Sequence, residues 1–201
     1  TEAKTKYNES YLSESKDTYN TMGNSILLQL RRSEEHHPFI APDWAYHFTD
    51  DDFNYETPKS TIPGQKFNYK IIWRAEDNNF WWVECSGAKF DTIFDANEIQ
   101  FELKRIAYGI WEYMKNHPDG RAKDFDLDWI GSLPGKREST RFVGPYTLTQ
   151  NDIVTGGHFE DAVAYGGWTL DDHNPGGFMN KGLASIEYKV NQGYGIPFDC
   201  L

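Results

Sequence analysis

The stretch Asp95-Ala96-Asn97-Glu98-Ile99-Gln100-Phe101-Glu102-Leu103-Lys104-Arg105-Ile106-Ala107-Tyr108-Gly109-Ile110-Trp111-Glu112-Tyr113-Met114-Lys115-Asn116 decides the fold. Ile99, Leu103, Ile106, Ile110 and Met114 recur at three- and four-residue spacings, which sets them on one side of an α-helix, and Phe101, Tyr108 and Trp111 widen the stripe. Asp95, with Glu98 three residues on, predicts a reciprocal N-terminal cap, and His117-Pro118-Asp119-Gly120 predicts the stop. An apolar stripe this wide covers a sheet, so the helix is structural.

The segments on either side supply that sheet. Residues 23–32 read as a strand whose continuous apolar run predicts burial on both faces. Residues 67–73 and 79–85 read as a hairpin turning at Glu76-Asp77-Asn78, with Trp81 and Trp82 on opposite sides of their strand. Residues 125–129 alternate strictly. That places Asp124, Asp126 and Asp128 on one face and Phe125, Leu127 and Trp129 on the other, and the carboxylate row suits either a divalent cation or a solvated edge. A Pro-Gly turn and a charged loop follow, then residues 142–148 as a neighbouring strand, and Thr149 and Asp152 carry the spacing of a helix cap. Gly156-Gly157 and Gly166-Gly167 bracket a further strand at 162–165, and residues 185–190 read as the last. Residues 43–46 have the makings of a short helix. The fold class is therefore α+β, a mixed and mainly antiparallel sheet covered by one long helix, with long loops. Residues 1–22 are a polar lead-in and 23–201 the domain proper.

Composition sets outer limits. In 201 residues, 31 acids against 20 bases give a net charge of −11, a field that repels a phosphate backbone and an anionic leaflet, so neither nucleic acid nor membrane is expected as a partner. No apolar run approaches the roughly 20 residues of a membrane helix. The compartment, cytoplasmic or exported, stays open, because two distant cysteines imply neither a disulfide nor a metal pair. His37, Asp43 and His47 lack a recognised ligand spacing, and the acidic run from Asp50 to Glu56 lacks the glycine and glutamate of a calcium loop, so no metal is expected.

The densest chemistry lies in the charged loop. Lys136, Arg137, Glu138 and Arg141, with Ser139 and Thr140 between them, suit either a salt-bridged surface turn or a grip on an anion or a polarised oxygen. The run from Ser132-Leu133-Pro134-Gly135-Lys136-Arg137-Glu138-Ser139 through Arg141-Phe142-Val143-Gly144 and Tyr146-Thr147-Leu148-Thr149 to Gln150-Asn151-Asp152 resembles a bacterial family of FAD-dependent oxidoreductases of the glutathione-reductase type. So does the block Asp161-Ala162-Val163-Ala164-Tyr165-Gly166-Gly167-Trp168 with Asp171-Asp172-His173. Thr21-Met22-Gly23-Asn24-Ser25 and Trp81-Trp82-Val83-Glu84 agree with it.

The resemblance implies the middle, substrate-side region of a larger flavoenzyme. Its dinucleotide-binding unit is not in these residues, since Gly193-Tyr194-Gly195 lacks the third glycine and runs into Pro197. FAD is then the cofactor of the full-length protein, not bound tightly by this chain alone, and the partners are a small-molecule substrate and the flavin-binding domain of the same polypeptide. The same resemblance makes His173 and Arg137 the catalytic candidates and Lys136, Arg141, Trp168 and Asp172 the substrate-binding ones, with the flavin-contacting residues left open. His173 is the proton-transfer candidate because an imidazole titrates near neutral pH. A surface histidine in a Gly-Pro-rich loop is the alternative for that residue. For the whole chain the alternative is a carbohydrate-binding module, for which seven tryptophans and twelve tyrosines would provide stacking rings.

Overall fold

A computed structural model describes residues 6–9, 21–53, 80–85, 87–173, 175–179, 186–190 and 192–201. Its strands are β1 (Ser25–Arg32), β2 (Phe80–Glu84), β3 (Phe125–Ile130), β4 (Ala162–Gly166), β5 (Leu170–Asp172), β6 (Ile186–Tyr188) and β7 (Tyr194–Pro197), and its α-helices are α1 (Asp50–Phe53), α2 (Ala96–Lys115) and α3 (Gln150–Thr155). Every described strand pair is antiparallel, which makes the fold α+β as expected. The chain forms two compact units. One gathers Thr21–Ser139 and Asn174–Ala184; the other gathers Thr1–Asn20, Thr140–His173 and Ser185–Leu201. They are called here the helical unit and the ribbon unit.

In the helical unit β1 lies between β2 and β3, and α2 packs on one face of that sheet. Ile26, Leu28 and Leu30 of β1 meet Ile99, Leu103, Ile106, Ile110 and Met114 of α2, all at most 2% exposed. Each such side chain contributes about 1.5–3 kcal/mol by leaving water. Burial of β1 is one-sided, contrary to the two-faced burial its apolar run predicts. Leu27, on the other face, is 41% exposed, because among the described residues one helix covers this three-stranded sheet. Of the predicted hairpin, the strand at 79–85 is present as β2 and pairs with β1; residues 67–73 lie outside the described residues.

Strict alternation fails in β3. The register against β1 slips between Gln29 and Leu30, so Leu127 sits opposite Leu30 and Ile130 opposite Leu28, while Trp129 faces Gln29. The extra residue, Asp128, forms a bulge that turns Trp129 to the outer face, where it is 46% exposed, and brings Ile130 to the core side. Two of the three aspartates then find cations: Asp126 bonds Lys115 at 3.2 Å and His37 at 3.1 Å, and Asp128 lies 3.8 Å from Arg31.

The expected cap of α2 is absent as well. Asp95 makes no side-chain cap bond, because its Oδ2 accepts the Asp91 N–H at 2.8 Å. The reciprocal cap occurs at α3, where Asp152 accepts the Thr149 N–H at 2.8 Å and the Asp152 N–H is shared with the Thr149 hydroxyl. Residues 43–46 form a turn instead of a helix, with the Ala45 N–H bonded to the Pro42 carbonyl.

In the ribbon unit β4 pairs with β7 and β5 with β6. Strand β7, in a segment where no strand was predicted, is the partner of the predicted β4. Residues 142–148 are not a strand. Phe142 and Val143 are 78% and 97% exposed, and this segment is held by the Tyr146 N–H on the Asp199 carbonyl at 3.0 Å.

Candidate functional site

The charged loop is an extension of the central sheet. After β3 the Gly131 N–H reaches the Leu27 carbonyl at 2.9 Å, and Gly135 then exchanges two backbone bonds with Ser25, at 3.0 and 2.7 Å. Gln100 of α2 donates to the Ser132 carbonyl, and the Met22 N–H donates to a Glu138 carboxylate oxygen. Lys136 and Arg137 thus stand exposed on a loop pinned before and after them, at the start of β1. Three stretches that carry the family resemblance, 21–25, 81–84 and 132–139, meet here through β1, its partner β2 and this loop. Asn24 lies in that meeting point, 1% exposed, with both amide atoms shielded and without a hydrogen-bond partner among the described residues.

The other sequence candidates belong to the ribbon unit. Arg141 is exposed, Trp168 is 79% exposed, and His173 follows directly on β5, of which Asp172 is the last residue. The partner of His173 is Asp171, with His173 Nε2 at 2.6 Å from Asp171 Oδ2. Their side chains keep 13% and 24% of their exposure. An alternating strand explains the choice, since residues two apart share a side. A carboxylate only accepts, so this bond places a proton on Nε2 and fixes the orientation of the ring, as a carboxylate does for a basic histidine. The second oxygen, Asp171 Oδ1, and the hydroxyl of Thr169 are both shielded, with no hydrogen-bond partner among the described residues.

A second cluster, which the sequence did not point to, lines an open groove of about 680 Å³ at the C-terminal end of α2. Tyr113 Oη donates to Asp50 Oδ1 at 2.7 Å, His117 sits between Asp50 at 3.1 Å and Asp119 at 2.8 Å, and Arg121 clasps Asp119 through Nε and Nη2. The hydrogen bond from Tyr113, then that from His117, holds the Asp50 carboxyl below its ordinary range, and Arg121 holds that of Asp119 well below it. Burial, then the bond to Asp50, pushes the Tyr113 hydroxyl up. One face of Tyr113 stacks on Phe53 at 4.3 Å, and the Arg121 guanidinium lies 5.5 Å from the ring centroid. Donors and acceptors here satisfy one another, so the groove reads as a clamp fastening α1 to α2. Among the described rings, Trp44 meets Phe101 at 42° and Tyr108 at 89°, so these three do not form a flat sugar platform. Among the described residues no group of three or more His, Cys, Asp or Glu is placed to hold a metal ion.

A family model described as FAD dependent oxidoreductase matches residues 4–201, practically the entire chain. No curated protein and no solved structure matches it. A dinucleotide-binding unit needs parallel strands joined by a crossover helix behind a glycine-rich turn. The described strand pairs are all antiparallel, so no such unit occurs among the described residues.

Proposed function

The chain belongs to the FAD dependent oxidoreductase family, and from that premise we propose that it is the substrate-side region of a flavoenzyme acting on a small organic molecule. It forms a wall over a flavin ring that another part of the polypeptide holds, and hydride transfer from the substrate is the reaction class. The observation that carries this reading is the pair of Asp171 and His173, built into the block that resembles the family, at 2.6 Å and with most of both side chains withdrawn from water. Asp171 fixes the ring, and His173 takes up the heteroatom proton that a substrate must lose as its carbon is oxidised. Arg137 and Lys136 supply positive charge from the pinned loop, and Arg141, Trp168 and Asp172 orient the substrate.

The test uses the longest gene product that contains this chain. Its visible spectrum should show bound flavin, and the 201-residue chain alone should not retain FAD. His173→Gln should leave the flavin spectrum unchanged and lower turnover by about 10²–10⁴, the usual worth of a positioned general base. Arg137→Ala should lower turnover with the same spectrum retained. A colourless gene product would end the reading, and full activity in both variants would remove the roles given to these two residues.

A further inference from the structure

We propose that the site of Asp171 and His173 takes a neutral, polyhydroxylated substrate, held by Asp171 Oδ1 and Thr169 Oγ1. The proposal rests on the reading of this chain as the substrate-side region and adds the class of molecule bound. Its basis is the pair of orphaned atoms. Asp171 spends one carboxylate oxygen on His173 and keeps the other shielded and, among the described residues, unpaired; two residues earlier, at the entry to β5, the same holds for the Thr169 hydroxyl. A buried polar atom without a partner forfeits its hydration for nothing, so two such atoms beside a histidine–carboxylate pair call for a ligand that completes them.

The donor and acceptor pattern selects that ligand. A carboxylate oxygen accepts and cannot donate, whereas a threonine hydroxyl does both. The ligand must offer a donor to Asp171 and, to Thr169, a group that can accept its proton. A carboxylate or phosphate fails at Asp171, where it brings no donor and meets like charge. An ammonium serves Asp171 but has no lone pair for Thr169. Hydroxyl groups meet both demands. Alternate residues of an extended chain lie roughly 7 Å apart, so the two positions call for two hydroxyls on one carbon frame instead of a single alcohol.

Access requires movement. Both atoms are shielded in this conformation, and the ribbon of β5 and β6 that carries Asp171 is only three residues long on each strand. Two-stranded ribbons of that size are marginal on their own, so opening the site costs little and hydroxyl binding repairs the two unpaired atoms.

Saturation-transfer NMR on the longest gene product tests this with myo-inositol and glucose as neutral polyols, putrescine as a diamine and succinate as a dianion. The proposal expects signals from at least one polyol and none from succinate. It also expects the polyol affinity to fall at least tenfold in Thr169→Val and in Asp171→Asn. Thr169→Val keeps the side-chain shape, and an unchanged or higher Tm would show that the lost affinity is not unfolding. Polyols silent at millimolar concentration, succinate or putrescine bound in their place, or wild-type polyol affinity in Thr169→Val would each overturn the proposal. The flavin spectrum is read separately: a coloured protein that ignores polyols removes the substrate class alone, and a colourless protein that binds them through Thr169 removes the flavoenzyme reading alone.

Discussion

Gly109 stands in the middle of α2, where glycine is about 1 kcal/mol worse than alanine for helix formation. Its presence is explained by the backbone across from it, since a Cβ at this position would overlap the Tyr46 carbonyl oxygen and press on Phe48. The Tyr46 N–H bonds the Arg105 carbonyl at 3.1 Å, which fixes that approach. Gly109→Ala should therefore lower stability by about 1–3 kcal/mol, as overpacking does, although propensity alone argues for a gain. Urea unfolding gives the sign, and a stabilised variant would show that the loop moves aside freely. Residue-scale chemistry was partly legible in the sequence. The sequence singled out His173 as a candidate by its imidazole, but its pairing with Asp171 at 2.6 Å emerges only from the structure. Glycine 109 gave no signal, because the group it accommodates lies more than sixty positions away.

At the scale of elements, α2 was legible from the spacing of Ile99, Leu103, Ile106, Ile110 and Met114, and what straps its other side was not. Ala41 donates to Glu112 at 2.9 Å, Tyr46 Oη to Glu102 at 2.6 Å, and Arg105 Nε to the Trp44 carbonyl at 3.0 Å, so an irregular loop lies along the helix. Such pairings depend on loop geometry and carry no periodicity. The bulge at Asp128 escaped the alternation rule for the same reason, since nothing local marks an inserted residue.

Lys115 ends the helix, 2% exposed, with Nζ donating to the carbonyls of Lys123 and Phe125 and to Asp126. Lys115→Met should cost about 3 kcal/mol in urea unfolding, because it strips a buried pair of one partner. The same pairing sets a pH dependence. Burial works to raise the Asp126 carboxyl, but the bonds from Lys115 and His37 outweigh it and leave it lowered. A carboxyl lowered on folding adds stability that is fully present above its unfolded value, about 3.9, and is lost as pH falls through the folded value. Asp50 and Asp119 act in the same direction. The urea midpoint should drop between pH 6 and pH 3, and drop less in Asp126→Asn. Equal drops in both would deny Asp126 its part.

For the whole molecule, the distribution of buried apolar side chains predicts unequal stability. Among the described residues, the hydrophobic core cluster from Ile26 to Phe125 falls entirely in the helical unit. The ribbon unit shows Val163, Tyr165, Trp168 and Phe198 at 55%, 86%, 79% and 61% exposure, and its described sheets have two strands each. Hydrophobic burial is the main favourable term in folding, and a two-stranded sheet without a packed face is marginal. Hydrogen exchange on the 201-residue chain should therefore find its slowest amides in β1, β3 and α2, opening only with global unfolding, while amides of β4, β5, β6 and β7 exchange through local opening at much lower free energy. In the flavin-loaded gene product a substrate bound at Thr169 and Asp171 should slow β5 and β6 selectively, because binding closes the ribbon it had to open. Equal protection in both units of the isolated chain would mean that the ribbon unit draws its stability from contacts other than its own apolar burial.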